Sequence, residues 1–486
     1  MSLETPPTTS NAPVVERNGA NVIAEAERTG APRGLFWPWA AANVSVLGIA
    51  YGSYVLGYGI SFWQAVGATV VGVSFSFLLV GLVAVAGKRG SAPTMVLSRA
   101  PFGVAGNRLP AAIGYLLTVG WETVLVTLST LATVTVLREL GWTAGTGTKI
   151  TAFAIVAVIV VVSGLLGFRA IFALQRVLTV GLAVLTVAYV VLTANQIDTA
   201  AVTGLPAGSW QAVLGALVLL MTGFGLGWVN AAADYSRYLP RSARSSGVIG
   251  WTTFGGALFP LLLVIWGLLL VAGHPQLATD IGNDPIGAVT VLLPSWFLVP
   301  FAVVAVVGLV SGAVLDLYSS GLTLLSLGVP IPRWSAALVD GAIMVAGTVY
   351  LVFYASDFVN PFQGFLITLG VPIAAWCGIF LADLLLRRRP YAGNELSSSR
   401  GRYGPVGWVA VIGLVLASAI GFGLVTNTFA AALSWQGYLL DPFGLGPKQD
   451  GPWSSSNLGV LVALALGFLI QVLFGRGRVR RQEQLD

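Results

Sequence analysis

The sequence predicts an all-α integral membrane protein of twelve transmembrane helices, with the first and sixth of them discontinuous. Three observations carry this. The 486 residues are 56% hydrophobic and only 9% charged, with a mean hydropathy of +0.85. Apolar runs of about 20 residues, long enough to cross a bilayer as helix, recur without the apolar–polar alternation of barrel strands. Two of these runs are interrupted by small and polar residues at mid-depth. The runs fall near 35–58, 62–86, 109–137, 149–167, 176–195 and 210–233, then near 249–272, 296–326, 335–354, 361–386, 405–428 and 456–475.

Taken in chain order, residues 1–34 mix Pro, Thr, Asn, Glu and Arg with no apolar core, which predicts a disordered cytoplasmic tail and not a cleaved signal peptide. The first span enters through Leu35-Phe-Trp-Pro-Trp39 and then places Asn43 and Ser45 in the apolar zone, followed by Gly48, Gly52 and Gly57. Residues 87–103 are too polar to cross and too apolar for a free loop, so a short helix on the inner surface is expected there. Span six reads Leu220-Met-Thr-Gly-Phe-Gly-Leu-Gly-Trp-Val-Asn-Ala-Ala-Ala-Asp234, with Gly223, Gly225 and Gly227 alternating around Phe224. Each glycine costs a helix about 1 kcal/mol against alanine. Broken backbone at membrane depth survives only where it lines an enclosed or watery cavity.

The two interrupted spans stand five helices apart, the pattern of two inverted five-helix repeats with the substrate site at the breaks. Residues 274–293 are long enough for a surface helix capping the outer side, and Gly370-Val-Pro372 predicts a kink in span ten. The last two spans lie outside the repeats. The transporter domain thus covers residues 35–475, and 476–486 form a second cytoplasmic tail.

Charge sets the orientation. With the N-terminus cytoplasmic, 22 of the 25 Lys and Arg lie inside, leaving Arg138, Lys149 and Lys448 outside. That bias obeys the positive-inside rule. Both termini are then cytoplasmic, in the plasma membrane, with the basic loops expected at lipid headgroups. The net charge of +6 is a topological signal and says nothing of nucleic acid. Cys377, the single cysteine, lies inside a span. There is no phosphate-binding G-x-x-x-x-G-K-[ST] loop, no H-E-x-x-H and no cysteine pair, so neither an enzyme, a metal site nor ATP-driven pumping is expected. Uphill transport must borrow an ion gradient.

Ionisable groups inside the bilayer are costly and mark function or paired structure. Glu122 lies near the middle of span three, where Thr118 and Glu122 are i,i+4 partners with Trp121 on nearly the same face. It reads either as a structural carboxyl bonded to a neighbouring helix or as part of the site. Asp316 lies in the second half of span eight among Ser311, Tyr318 and Ser319. Asp234 and Arg237, i,i+3 at the end of span six, suggest a structural ion pair or inner gate before any substrate contact. Asp340 and Asp383, near Arg333 and Arg387, read as anchors at inner helix ends.

Four segments in order resemble the nucleobase–cation-symport-1 family, in its purine/cytosine permease branch. They are Gly90-Ser-Ala-Pro-Thr-Met-Val-Leu-Ser-Arg-Ala-Pro-Phe-Gly103, Gly120-Trp121, Gly227-Trp228 with Ala233-Asp-Tyr-Ser-Arg-Tyr-Leu-Pro240, and Asp316-Leu-Tyr-Ser-Ser-Gly-Leu322. The resemblance implies the leucine-transporter-type fold, a 5+5 inverted repeat plus two helices. It implies a flat heterocycle held between Trp121 and an aromatic of span six, at Phe224 or Gly225. Polar groups at Thr118 and Asp316 would read its edges, with Glu122 a second acid beside them. Ser311 and the backbone from Asn43 to Val46 would form the cation site. The family often carries amides where this chain has Thr118 and Asp316.

The expected activity is import of a nucleobase such as cytosine or a purine by symport with H⁺ or Na⁺, with no cofactor. Alternatives are transport of allantoin- or hydantoin-like compounds or pyrimidine vitamin precursors, an amino-acid transporter of the same fold, or an uncoupled channel or receptor. The expected partners are the heterocycle and the lipid bilayer, in a monomer or weak homo-oligomer.

Overall fold

The computed structural model describes residues 18–143, 145–164, 168–290, 292–355, 359–427 and 431–484; residues 1–17 of the expected tail lie outside them. Among the described residues there is no strand. Nine helices among the described residues are long and apolar enough to cross a membrane: Phe62–Gly90, Arg108–Arg138, Thr146–Gly164, Gln175–Gln196, Trp210–Ser236, Ser245–Ala272, Ser295–Ser326, Trp334–Phe353 and Pro361–Leu386. Pro32–Asn43 and Leu47–Leu56 form a pair bent by 66°, and Gly459–Phe474 with Arg476–Glu483 a pair bent by 56°. Trp408–Gly423 is a shorter apolar helix. These twelve segments are numbered below in chain order.

The break in span one has a local cause. Asn43 Nδ2 bonds back to Trp39 O at 2.8 Å, and Val44 leaves helical geometry at φ −79°, ψ 68°. Such side-chain bonds compete with the helical ladder. The second arm then starts with Leu47 N donating to Ser45 Oγ at 3.3 Å.

Span six breaks at Phe224, with φ −121° and ψ −106°. None of its three glycines adopts a positive φ. What they provide is closeness. A Cβ on Gly223 would lie 2.1 Å from Tyr51 Oη of span one, and one on Gly225 2.2 Å from the Ser76 backbone of span two. One on Gly227 would lie 2.8 Å from Trp121 Nε1 of span three. The broken stretch is therefore wedged against three spans at once.

The packing follows the repeats. Span three lies along span eight and span two along span seven, each pair five spans apart, while spans ten, eleven and twelve pack together beside them. Pro361–Leu386 runs through Pro372 as one helix. At the end away from the termini, Pro275–Asn283 forms the expected surface helix and packs on the second arm of span one.

The tail expectation fails for residues 18–34. They pack instead across the terminal end: Ile23 and Arg28 are 2% and 4% exposed, and Arg28 donates to Lys88 O at 2.6 Å and Leu239 O at 3.1 Å. Residues 87–103 also differ from expectation. Two four-residue helices, Thr94–Leu97 and Arg99–Phe102, are buried and not laid on the surface. Nor are the basic residues here left to lipid. Arg89 donates to Leu384 O and Arg387 O, and Arg99 to Ser326 O and Leu396 O, satisfying carbonyls that helix ends leave open. The C-terminal helix Arg476–Glu483 docks there too, with Gln482 Nε2 on Ala100 O at 3.0 Å.

Candidate functional site

The two breaks face one another through aromatic rings. Phe224 lies 4.6 Å from Tyr51 at a 42° tilt. Tyr51 meets Phe362 of span ten edge-on at 6.3 Å, and Phe362 meets Trp121 edge-on at 5.5 Å. Trp121 and Phe224, the expected pair, thus stand at the two ends of a chain whose middle members the sequence reading did not single out. Gly225 supplies its N–H to Ser76 Oγ at 3.2 Å, so Phe224 is the ring at the break. Trp121 Nε1 and Tyr51 Oη are both buried without a hydrogen-bond partner.

Beside this wall, Thr118 donates to Gly114 O at 2.8 Å and accepts from Asn230 Nδ2 at 2.8 Å. Asn230 Nδ2 also reaches Gly114 O at 3.1 Å, while its Oδ1 is buried and unpartnered. An amide therefore does stand at the Thr118 position, delivered by span six and not by span three. Its trace in the sequence is a lone Asn among apolar residues directly after the glycines.

Glu122 and Asp316 come together, and with them a third acid. Asp340 of span nine, read from sequence as an anchor beside Arg333, is fully buried, and it is the first electrostatic neighbour of both. Neither oxygen of Glu122 or of Asp340 has a hydrogen-bond partner, and Asp316 Oδ2 has none. Ser320 lies beside Glu122 and Asp340, but its proton goes to Leu317 O at 3.2 Å. Tyr115, two turns before Glu122, also neighbours Asp340. Asp383, by contrast, is the anchor expected, paired with Arg387 at 3.1 Å.

At the expected cation position, Val44 O and Ala42 O of span one face Gly308 and Gly312 of span eight. Ser311 Oγ points to Ala41 O at 3.5 Å and donates to Gln175 Oε1 at 2.5 Å; Gln175 Nε2 returns a bond to Ser311 O at 3.1 Å. Gln175 is fully buried. Asn43 turns its amide to Trp39 O, and Val46 O accepts from Ile49 N. Gln175 was missed because span five was placed from 176, whereas its helix begins at Phe168.

The terminal end is closed. Asp234 accepts from Thr94 N at 2.7 Å and Thr94 Oγ1 at 2.9 Å, and Arg237 donates to Gly19 O at 2.8 Å and Tyr318 Oη at 2.9 Å. At the opposite end a cavity of about 570 Å³, lined by Tyr54, Tyr58, Thr222, Ile367 and Asn457 among others, runs in toward the break of span six.

Residues 22–440 match the family described as permeases for cytosine/purines, uracil, thiamine and allantoin. A Bacillus subtilis protein, YxlA, provisionally named a purine-cytosine permease, is 24% identical over 97% of this chain and 99% of its own. Mhp1, a nucleobase-cation-symport-1 family transporter in a closed conformation with bromovinylhydantoin bound, superposes with a TM-score of 0.68 at 20% identity, covering 97% of this chain and all of that one. The inward-facing conformation of Mhp1 gives 0.70 at 19% identity, over 98% and 95% of the two chains. A Na⁺-coupled sialic acid symporter gives 0.60 at 13% identity, over 93% and 91%. These solved structures share the fold, two five-helix repeats each opened by a broken helix.

Proposed function

The chain belongs to the family of permeases for cytosine/purines, uracil, thiamine and allantoin; it is a multi-pass membrane transporter and not an enzyme, and on that premise we propose that it imports a nucleobase such as cytosine or a purine by ion-coupled symport. The observation that carries the reading is Trp121. A flat ring stands against the break of span six, and its own Nε1 and the nearby Asn230 Oδ1 are buried without partners. Stacking on one face with polar groups at the edge suits a planar nitrogen heterocycle, and a base–aromatic stack is worth about 1–3 kcal/mol. Thr118, Asn230 and Asp316 are the edge readers, and Phe224 closes the far side once Tyr51 and Phe362 make way.

Glu122 with Asp340 beside it favours H⁺ over Na⁺ as the coupled ion. Two neighbouring buried carboxyls, with the Tyr115 and Ser320 hydroxyls beside them, hold and release a proton as a unit. Alternating access rocks spans one, two, six and seven against three, four, eight and nine. The Asp234–Thr94 and Arg237 contacts close the side that carries both termini, and the bias of 22 of 25 Lys and Arg favours the cytoplasm for that side of the plasma membrane.

An amino-acid substrate fits less well, since the amide of span one that could face an α-carboxylate is turned to Trp39 O. Hydantoin- or allantoin-like compounds remain the second reading, because the same stack and edge groups serve them. A thermal-shift screen of the purified protein against nucleobases and hydantoins decides, as a true ligand stabilises by mass action. A melting temperature unmoved by any planar heterocycle would end the proposal.

A further inference from the structure

We propose that the cavity between the terminal ends of spans ten and twelve binds the phosphate headgroup of an anionic membrane lipid. The site stands apart from the transport reading above and does not depend on what the protein carries.

Arg28, Arg89, Arg99, Arg237 and Arg387, all at this end, donate to carbonyls or side chains of the protein. Arg388, Arg476 and Arg480 do not. Among the described residues, no hydrogen bond or ion pair engages their guanidinium groups. With Arg389, Leu386 and Val479 they line one cavity of about 500 Å³. Arg476 and Arg480 stand i,i+4 on one face of the C-terminal helix. Among the described residues Glu483 is the one carboxylate of the lining, and its Oε1 already accepts from Arg388 N at 2.7 Å and Arg389 N at 2.8 Å. Like charges around one space repel until an anion enters it.

The walls are braced without any ligand. Arg387 Nη2 crosses from span ten to Gln482 Oε1 of the C-terminal helix at 2.7 Å and holds Asp383 at 3.1 Å. Arg89 Nη2 in turn donates to Arg387 O at 2.6 Å and Arg389 O at 3.0 Å. The free guanidinium groups therefore extend from fixed backbone, and their planar forks match phosphate oxygens two at a time.

The neighbourhood selects a lipid over a soluble anion. Leu385 on span ten, with Leu473 and Phe474 on span twelve, are exposed apolar side chains a few residues before the arginines. Span twelve then bends by 56° into the C-terminal helix. Apolar and basic side chains thus meet where acyl chains give way to headgroups, and tails laid on the first set place a phosphate among the second. The cavity is also far larger than one phosphate ion and falls in the range of about 300–1,000 Å³ that holds small organic ligands, which leaves room for the glycerol. Basic pockets between membrane helices are suited to acidic headgroups for these reasons.

The test uses the full chain, purified and delipidated in a neutral detergent and titrated with dioctanoyl phosphatidylglycerol while its melting temperature is followed. Stabilisation should rise saturably, as for any ligand of the folded state. Dioctanoyl phosphatidylcholine, with no net charge, should give no saturable rise. Inorganic phosphate should act only at far higher concentrations, since it leaves the apolar flank unused. An arginine beside an anionic headgroup is worth about fivefold in affinity, so Arg476→Gln combined with Arg480→Gln should weaken phosphatidylglycerol about 25-fold. Arg241→Gln combined with Arg244→Gln removes the same charge from exposed positions outside the cavity and should change affinity by less than about twofold. If the first pair does not fold, Arg388→Gln is titrated in its place, with a loss of about fivefold expected. Equal stabilisation by the two lipids, or equal weakening by the two pairs of substitutions, means general adsorption and overturns the proposal. Inorganic phosphate binding as tightly as the lipid also overturns it, with a soluble anion as the occupant. A melting temperature that phosphatidylglycerol does not move ends it.

Discussion

Asn230→Ala separates what an amide does for the fold from what it does for a ligand. Its Nδ2 bonds to Thr118 Oγ1 at 2.8 Å and to Gly114 O at 3.1 Å, tying span six to span three. Two neutral bonds at about 0.5–1.5 kcal/mol each predict a stability loss of about 1–3 kcal/mol. The loss should not run higher, because Thr118 keeps its own bond to Gly114 O at 2.8 Å. The ligand term belongs to Oδ1, which has no partner within the protein. Losing one such acceptor for a ring N–H costs about 0.5–1.5 kcal/mol, and about 1.4 kcal/mol is a tenfold change in Kd. Affinity for the base should therefore fall about two- to tenfold. Denaturation of the ligand-free protein measures the first term and titration with the base the second. Asn230→Asp should be the less stable variant, since a carboxylate oxygen would replace the donor in front of two acceptors. An Asn230→Ala protein of lowered stability but unchanged Kd would show that the amide only braces the helices, and the edge-reading argument would fall.

The remaining expectations concern the other parts of the site. Trp121→Ala should lose about 1–3 kcal/mol of binding with surface expression intact, and near-normal affinity there would refute stacking. Asp316→Asn swaps an acceptor for a donor and should weaken an amine-bearing base about tenfold while an oxo-bearing analogue loses less, a cost of about 1.4 kcal/mol; equal weakening of all bases would remove it as a reader. Asp340→Asn removes the nearer of the two carboxyl neighbours of Glu122 and leaves Asp316. Uptake that rises as external pH falls should lose that dependence, while saturating ligand affinity stays; an unaltered pH profile in proteoliposomes would exclude the pair as proton carrier. Thr94→Val removes one of two bonds to Asp234, and cysteine accessibility from the terminal side should increase; unchanged labelling would mean that Thr94 does not hold the gate.

What could be read from sequence divides along a physical line. Membrane spans and their breaks are written in short stretches, so the apolar runs and the Gly223–Gly227 cluster located both irregular helices. Contacts between helices are not written locally. Nothing near Asp340 says that it lies beside Glu122, and its closeness to Arg333 in the chain pointed the other way. The amide missing at Thr118 was supplied from 112 residues further on. Gln175 looked like the edge of a span because a charged Arg176 follows it. The glycines of span six were identified correctly as the break, but for the wrong reason: each is small because a different neighbour presses on it, whereas the backbone turn itself falls on Phe224.

The packed N-terminal segment also constrains the order in which the molecule can be assembled. Arg28 finds its partners 60 and 211 residues later in the chain, and Gly19 is gripped by Arg237, 218 residues away. Lys88 lies at the end of span two, but Leu239 and Arg237 follow span six, so this segment cannot complete its contacts until six spans have been inserted. Closing so long a loop is slow relative to local helix formation. The terminal side of the bundle should be the last part to acquire its native form, and a nascent chain halted before Arg237 would remain unsealed there however well its helices had formed.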